Sequence, residues 1–203
     1  KEVVTLILHW AQAITDYLNR NGIIQNDLEI YQFGFVLCIS TMMSFGQVIL
    51  VGIICDILPY TLCYLILFTV LRVHVGGYHC TTYLKCQCTY LMIFLIYMLL
   101  RYIDINVWVA FMMYIIASFT IWIYAPVQHP LKPLTRIEKK SFSKKSKLLV
   151  VVFGIALYLA HLFDKGLSYT VWYCLLANAC LLTYGEVVYV QKNDFKNDHC
   201  ISL

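Results

Sequence analysis

Charge is what this chain has least of. Asp, Glu, Lys and Arg make up 13% of its 203 residues against 61% hydrophobic, and the mean hydropathy is +0.73. A soluble domain with an ordinary polar surface cannot be built from that composition, so the chain reads as a polytopic membrane protein. Prolines number four, and Pro126, Pro130 and Pro133 share one loop, which leaves long runs without helix breakers. No internal repeat is visible, so the inverted-repeat signature of many transporters is missing. None of the nine cysteines stands in a Cys-x-x-Cys pair. Cys38, Cys63, Cys174 and Cys180 fall inside apolar runs, where cysteine acts as a small hydrophobe, and no structural disulfides are expected. A cleavable signal sequence is not expected either, because the apolar run Val3–Leu8 is short and leads into a polar-faced helix.

What the chain does have is apolar windows at 30–55, 57–71, 86–100, 105–125, 148–163 and 167–185. Each approaches the roughly 20 residues that span hydrocarbon, so six transmembrane helices are expected. Ahead of them, Val3, Ile7, Trp10, Ile14, Tyr17 and Leu18 share one helical face, with Thr5, His9, Gln12, Asp16 and Asn19 opposite, the pattern of an interfacial amphipathic helix. The expected fold is all-α and membrane-embedded, with turns near Asp56–Pro59, at "RYIDIN" and at "FDKGLS". Between the fourth and fifth spans, the stretch 126–147 carries seven basic residues against the single acid Glu138 and reads as a basic loop.

Basic residues also set the orientation, since short cytoplasmic loops retain Lys and Arg. With the N-terminus inside, thirteen of fifteen fall on the inner side, leaving Arg101 and Lys165 outside. Both termini and the stretch 72–86 are therefore expected at the cytoplasmic face. The net charge of +4 is explained by topology, and no nucleic-acid partner is expected.

The stretch "GGYHCTTYLKCQC", residues 76–88, concentrates reactive side chains. On one unbroken helix, His79 and Cys86 would be about 10 Å apart, since seven residues rise about 1.5 Å each. Gly76 and Gly77 permit the chain to bend instead. If His79 sits in a non-helical turn, Thr81 or Thr82 can cap the following helix and place Cys86 near its start. A helix N-terminus, with Lys85 and Arg72 adding positive charge, favours a thiolate, and Cys with His is the minimal pair for acyl transfer. The same stretch admits a zinc reading, because His74, His79, Cys80, Cys86 and Cys88 include soft ligands, though not at knuckle spacing. It also admits chance in a cysteine-rich chain, with Cys80 and Cys88 as packing residues; spacing alone leaves all three open. Glu186, near the inner end of the sixth span, is a candidate buried partner for His79 or Arg72.

"RVHVGGYHCTTYLKC", residues 72–86, resembles the Arg, Gly-Gly-Tyr-His and Cys pattern of the accessory gene regulator protein B (AgrB) family, and "PVQHPLKPL" with its basic run resembles that family's central loop. The resemblance covers nearly the whole chain. It implies a single membrane domain over 1–203: an interfacial helix at 1–22, a catalytic segment at 72–86 and a basic cytoplasmic loop at 126–147. The implied activity is that of a membrane-embedded cysteine endopeptidase of a bacterial cell membrane. It would mature an AgrD-type quorum-sensing propeptide and close the signal segment to a thiolactone or a lactone through an acyl-enzyme thioester. Cys86 falls on the nucleophile and His79 on the general base, with Arg72, Gly76 and Gly77 on the supporting positions, while Lys85 and Glu186 are supporting candidates from their charge and position alone. Lys139, Lys140, Lys144, Lys145 and Lys147 are placed to dock an acidic propeptide tail. The resemblance further implies a homodimer and neither cofactor nor metal. Val75 stands where alanine is expected and Cys80 where another small residue is. A small-solute transporter and a metal-binding membrane adaptor are the alternatives of different class.

Overall fold

In hydrocarbon a backbone can satisfy its own N–H and C=O groups only by winding into helices or closing a barrel, and long uncharged runs without alternation wind. A computed structural model describes residues 2–24, 28–77, 82–103, 105–127 and 135–201. These form α1 (Glu2–Arg20), α2 (Leu28–Ile54), α3 (Leu58–Val75), α4 (Tyr83–Leu100), α5 (Val107–Tyr124), α6 (Arg136–Phe163) and α7 (Lys165–Ile201). The chain is an all-α membrane protein, as its composition requires. Within it α2, α3, α6 and the Lys165–Val188 part of α7 are long and apolar enough to cross a bilayer. Leu84–Leu100 in α4 and Trp108–Tyr124 in α5 are apolar but shorter, about 25 Å against a hydrocarbon core of about 30 Å. The expected six spans therefore correspond to six apolar helices, four of which reach spanning length.

Local chemistry sets the boundaries. Asp56 takes a left-handed conformation, φ 54°, just beyond α2, and Pro59 stands in the first turn of α3. Asn106 caps α5 by accepting from the Trp108 N–H at 2.9 Å. Two boundaries differ from the sequence reading. The basic run of the supposed loop is helical from Arg136 onward, because Thr135 and Glu138 form a capping box: the Thr135 hydroxyl accepts the Glu138 N–H and the Glu138 carboxylate accepts the Thr135 N–H. The stretch after 185, expected as a polar tail, continues α7 to Ile201.

The chain divides into two compact units, Lys1–Asp56 with Cys80–Phe94, and Ile57–His79 with Leu95–Leu203. In the first, Ile7 and Ala11 of α1 are buried against Val36 of α2, with Phe35, Ile39 and Met43 around them. The apolar face of α1 is thus split, since Leu6, Trp10 and Tyr17 stay exposed. Phe45 of α2 and Tyr90 of α4 bring their rings to 6.1 Å.

The second unit is built around α7, which packs on α3, α5 and α6. Helices in lipid gain little from burying carbon, so small residues and interhelical hydrogen bonds hold them together, each bond contributing about 0.6 kcal/mol. Trp172 donates its indole N–H to the Ala110 carbonyl at 3.0 Å, Asn178 donates to the Phe68 carbonyl at 3.5 Å, and Tyr97 and Thr170 join their hydroxyls at 2.7 Å. The Tyr64 and Tyr97 rings stack at 5.1 Å, and the Tyr173 ring is tilted against both, 6.4 Å from Tyr64 and 5.5 Å from Tyr97.

At the turn between α6 and α7, the Asp164 carboxylate accepts a hydrogen bond from the Tyr60 hydroxyl and another from the Gly166 N–H at 2.8 Å. Arg101 stacks on the Tyr60 ring at 3.9 Å, and a Cβ on Gly166 would stand 2.7 Å from that ring. The Tyr60 hydrogen bond, aided by the Gly166 N–H and the Arg101 charge, holds the Asp164 carboxyl below its ordinary value of 3.8. A depressed carboxylate stabilises the fold above its unfolded pKa and loses that contribution as pH falls through the folded one. Asp164→Asn should therefore lower the melting temperature at neutral pH, and its deficit against the native chain should close in melts run progressively below pH 3.8; a deficit constant down to strong acid would contradict this.

Candidate active site

A helix leaves its last four carbonyls without intrahelical donors, and the end of α3 shows how this chain supplies them. The Arg72 carbonyl accepts the Gly76 N–H at 3.1 Å, the His74 carbonyl accepts the Ser146 hydroxyl at 2.9 Å, and the Val75 carbonyl accepts the Val127 N–H at 3.2 Å. Ser146 is fully buried, and its one proton is shared between the His74 and Phe142 carbonyls. One residue further, the Arg72 guanidinium turns back to donate to the Gly76 carbonyl at 3.0 Å, a charge-assisted bond across the turn.

Both glycines are required by this geometry. Gly76 has φ 75° and Gly77 φ 125°, where any Cβ is strained. A Cβ on Gly76 would lie 2.6 Å from the Val127 carbonyl oxygen, with which Gly76 forms a bridge of parallel strand type. A Cβ on Gly77 would run into the Arg72 guanidinium and approach the Leu181 carbonyl of α7 to 3.0 Å. Arg72, Gly76 and Gly77 thus form one assembly, wedged against Val127 and α7. His79 and Cys80 lie outside the described residues.

Cys86 occupies the first turn of α4. The Thr82 hydroxyl accepts the Lys85 N–H at 3.4 Å, and the Thr82 carbonyl accepts the Cys86 N–H at 3.1 Å, so Thr82 acts as the cap. The Cys86 side chain is exposed, as are Lys85 and Cys88, so Cys88 is not the packing residue considered from sequence. The thiol thus stands at the positive end of the α4 dipole.

Other candidates stand apart. Glu186 on α7 is half-buried, and His79, one of its two candidate partners, lies outside the described residues. His74 directs its ring Nδ1 to the Val70 carbonyl at 2.9 Å. Lys139, Lys140, Lys144 and Lys145 are exposed along the first turns of α6, whereas Lys147 is half-buried with its ammonium 5.1 Å from the Trp122 ring. Like charges at helical spacing oppose one another, and only Glu138 offsets them in the first turn.

The Accessory gene regulator B family matches residues 11–184 of the chain. The chain belongs to the AgrB family. Neither a curated protein nor a solved structure matches it. Membership places the protein in accessory gene regulator quorum sensing, in the processing of its peptide. The AgrB match takes in Arg72, Gly76, Gly77, Lys85, Cys86 and the α6 lysines, and ends two residues before Glu186. Reading the sequence missed Ser146 and Val127, which complete the support of the AgrB glycine turn. The Thr-x-x-Glu signature at 135–138 was the available signal, since it places Ser146 inside a helix.

Gly77→Ala should lower the melting temperature of this AgrB protein in detergent by several degrees. Gly46→Ala, in an open position of α2 where a Cβ meets nothing within 4 Å, should leave it unchanged or raise it slightly, because alanine is the better helix former. Equal effects of the two substitutions would mean that the turn tolerates a side chain.

Proposed function

We propose that this AgrB protein is a cysteine endopeptidase with Cys86 as nucleophile and His79 as general base, acting on an AgrD-type propeptide at the cytoplasmic face of the membrane. The observation that carries the reading is the exposed Cys86 thiol in the first turn of a Thr82-capped helix, within a chain whose family processes the signalling peptide. His79 takes the thiol proton, and the sulfur adds to the carbonyl carbon of the scissile peptide bond. The C–N bond then breaks, the imidazolium protonates the departing amine, and the signal segment remains on Cys86 as a thioester.

The acyl group stays activated in that form. A cysteine thiol within the held segment attacks the thioester carbonyl and expels the Cys86 sulfur, which recovers a proton. One thioester replaces another, so the ring closes at little cost in free energy provided water is excluded and the peptide is held bent. Hydrolysis is the competing loss. The Arg72–Gly76–Gly77 assembly supports the reading by fixing the backbone two residues before His79 in one conformation.

Substrate docking follows from charge. The exposed Lys139, Lys140, Lys144 and Lys145 crowd the dipole-positive end of α6, and an acidic propeptide tail would relieve their mutual repulsion. The functional unit is a homodimer.

Mass spectrometry of purified protein in lipid with its propeptide should find a cyclic product and a released C-terminal fragment for the native chain and neither for Cys86→Ala; equal cleavage by both would reject the assignment. Reversing the four exposed lysines to Glu should raise KM about tenfold or more, with kcat little changed, from about 1 kcal/mol of attraction per charge. Unaltered KM would remove the docking role.

A further inference from the structure

The cation run on α6 has a counterpart at the far end of that helix, next to a cavity that the peptidase reading does not use. A space of about 380 Å³ lies between α5, α6 and α7 in the second unit, within the size range of ligand sites. Its walls include Ala110, Phe111, Leu157 and Trp172. Three polar groups on its wall are engaged within the protein: the Trp172 indole N–H on the Ala110 carbonyl, the Tyr114 hydroxyl on the Val150 carbonyl at 3.1 Å, and the Tyr169 hydroxyl accepting the Ile105 N–H at 3.4 Å, while the Tyr158 and Ser168 hydroxyls line it without a hydrogen bond among the described residues. Most of the wall is therefore carbon or hydrogen-bonded within the protein, which suits a hydrocarbon chain better than a polar solute. A Cβ on Gly154 would strike the Tyr114 hydroxyl, so the glycine is what lets that ring lie against α6.

The rim is different. Lys165, the first residue of α7, and His161, in the last turn of α6, both line the cavity and are exposed. Lys165 forms no ion pair among the described residues. The acid beside it, Asp164, is committed to Tyr60 and the Gly166 N–H. The partial positive charge of the α7 N-terminus adds to the ammonium, and imidazole presents an N–H donor in either neutral tautomer. A carbon-lined cavity beneath an uncompensated cation matches a molecule with an anion at one end and a hydrocarbon chain at the other.

We propose that this cavity is a binding site for one membrane phospholipid with an anionic headgroup, an acyl chain lying between α5, α6 and α7 and the phosphate at Lys165 and His161. The lipid fills a space that would otherwise leave the α5–α6–α7 packing open. Its site is separate in sequence from Cys86 and the α6 lysines and is independent of the peptidase reading.

The test is native mass spectrometry of the protein extracted into detergent from nanodiscs of equal phosphatidylglycerol and phosphatidylcholine. One phosphatidylglycerol per chain should survive extraction, several-fold more often than phosphatidylcholine. Lys165→Glu should abolish the preference and Lys165→Gln reduce it, while Leu157→Trp, which occupies the cavity without changing a charge, should lose both lipids at an unchanged helical circular dichroism spectrum. Excess glycerol 1-phosphate, a headgroup without chains, should not displace the bound lipid. Equal retention of the two lipids, or phosphatidylglycerol retention indifferent to both Lys165 variants, would overturn the headgroup assignment; displacement by glycerol 1-phosphate, or retention in Leu157→Trp, would overturn the acyl-chain assignment.

Discussion

A helix surrounded by other helices in hydrocarbon must present small side chains and leave few polar groups unanswered, and α7 is the element on which that constraint falls. Over half of its spanning window is buried, 56% against 17–33% for α2, α3 and α6. Its buried run from Thr170 to Leu175 is followed by Ala177, Asn178 and Ala179, small enough to let α3 approach and to bring Asn178 within reach of the Phe68 carbonyl. Loss of that fit would loosen α3, α5 and α6 together, because each takes its main contact from α7.

The Gly76–Gly77 turn inherits its shape from the same helix. Gly77 lies against the Leu181 carbonyl, one turn beyond Asn178, while Gly76 lies against the Val127 carbonyl beyond the end of α5. Backbone closes on both residues, so neither has room for a side chain, and the Arg72 guanidinium ties the turn from within. The Gly76–Gly77 turn is thereby fixed by long-range packing as much as by the left-handed preference of glycine.

Electrostatics divides the second unit into two ends. Lysines gather on the first turns of α6, where the capping box of Thr135 and Glu138 starts the helix early and lifts them out of a loop onto a rigid surface. At its other end, Asp164 is held ionised between Tyr60 and Gly166 and leaves Lys165 uncompensated. The proposed acidic peptide and the proposed anionic lipid would each meet one of these ends, and both ends follow from how α6 begins and stops.

Most of the elements were legible in the sequence because they rest on interactions within a few residues. Long apolar runs wind to satisfy their own backbone, Pro59 and Asn106 mark helix starts, Gly76 marks a helix end, and Thr82 caps the helix that carries Cys86. The basic run was misread as a loop because three prolines precede it, although the Thr-x-x-Glu cap was a local signal too. The sequence by itself therefore determined the helical membrane class, the glycine turn and the place of the thiol at a helix start. Only the tertiary structure decided that Ser146 and Val127 would supply the α3 carbonyls and that Leu181 would close on Gly77. Such contacts join residues as much as 104 positions apart, and whether groups that distant meet depends on how whole helices pack, which no short pattern encodes.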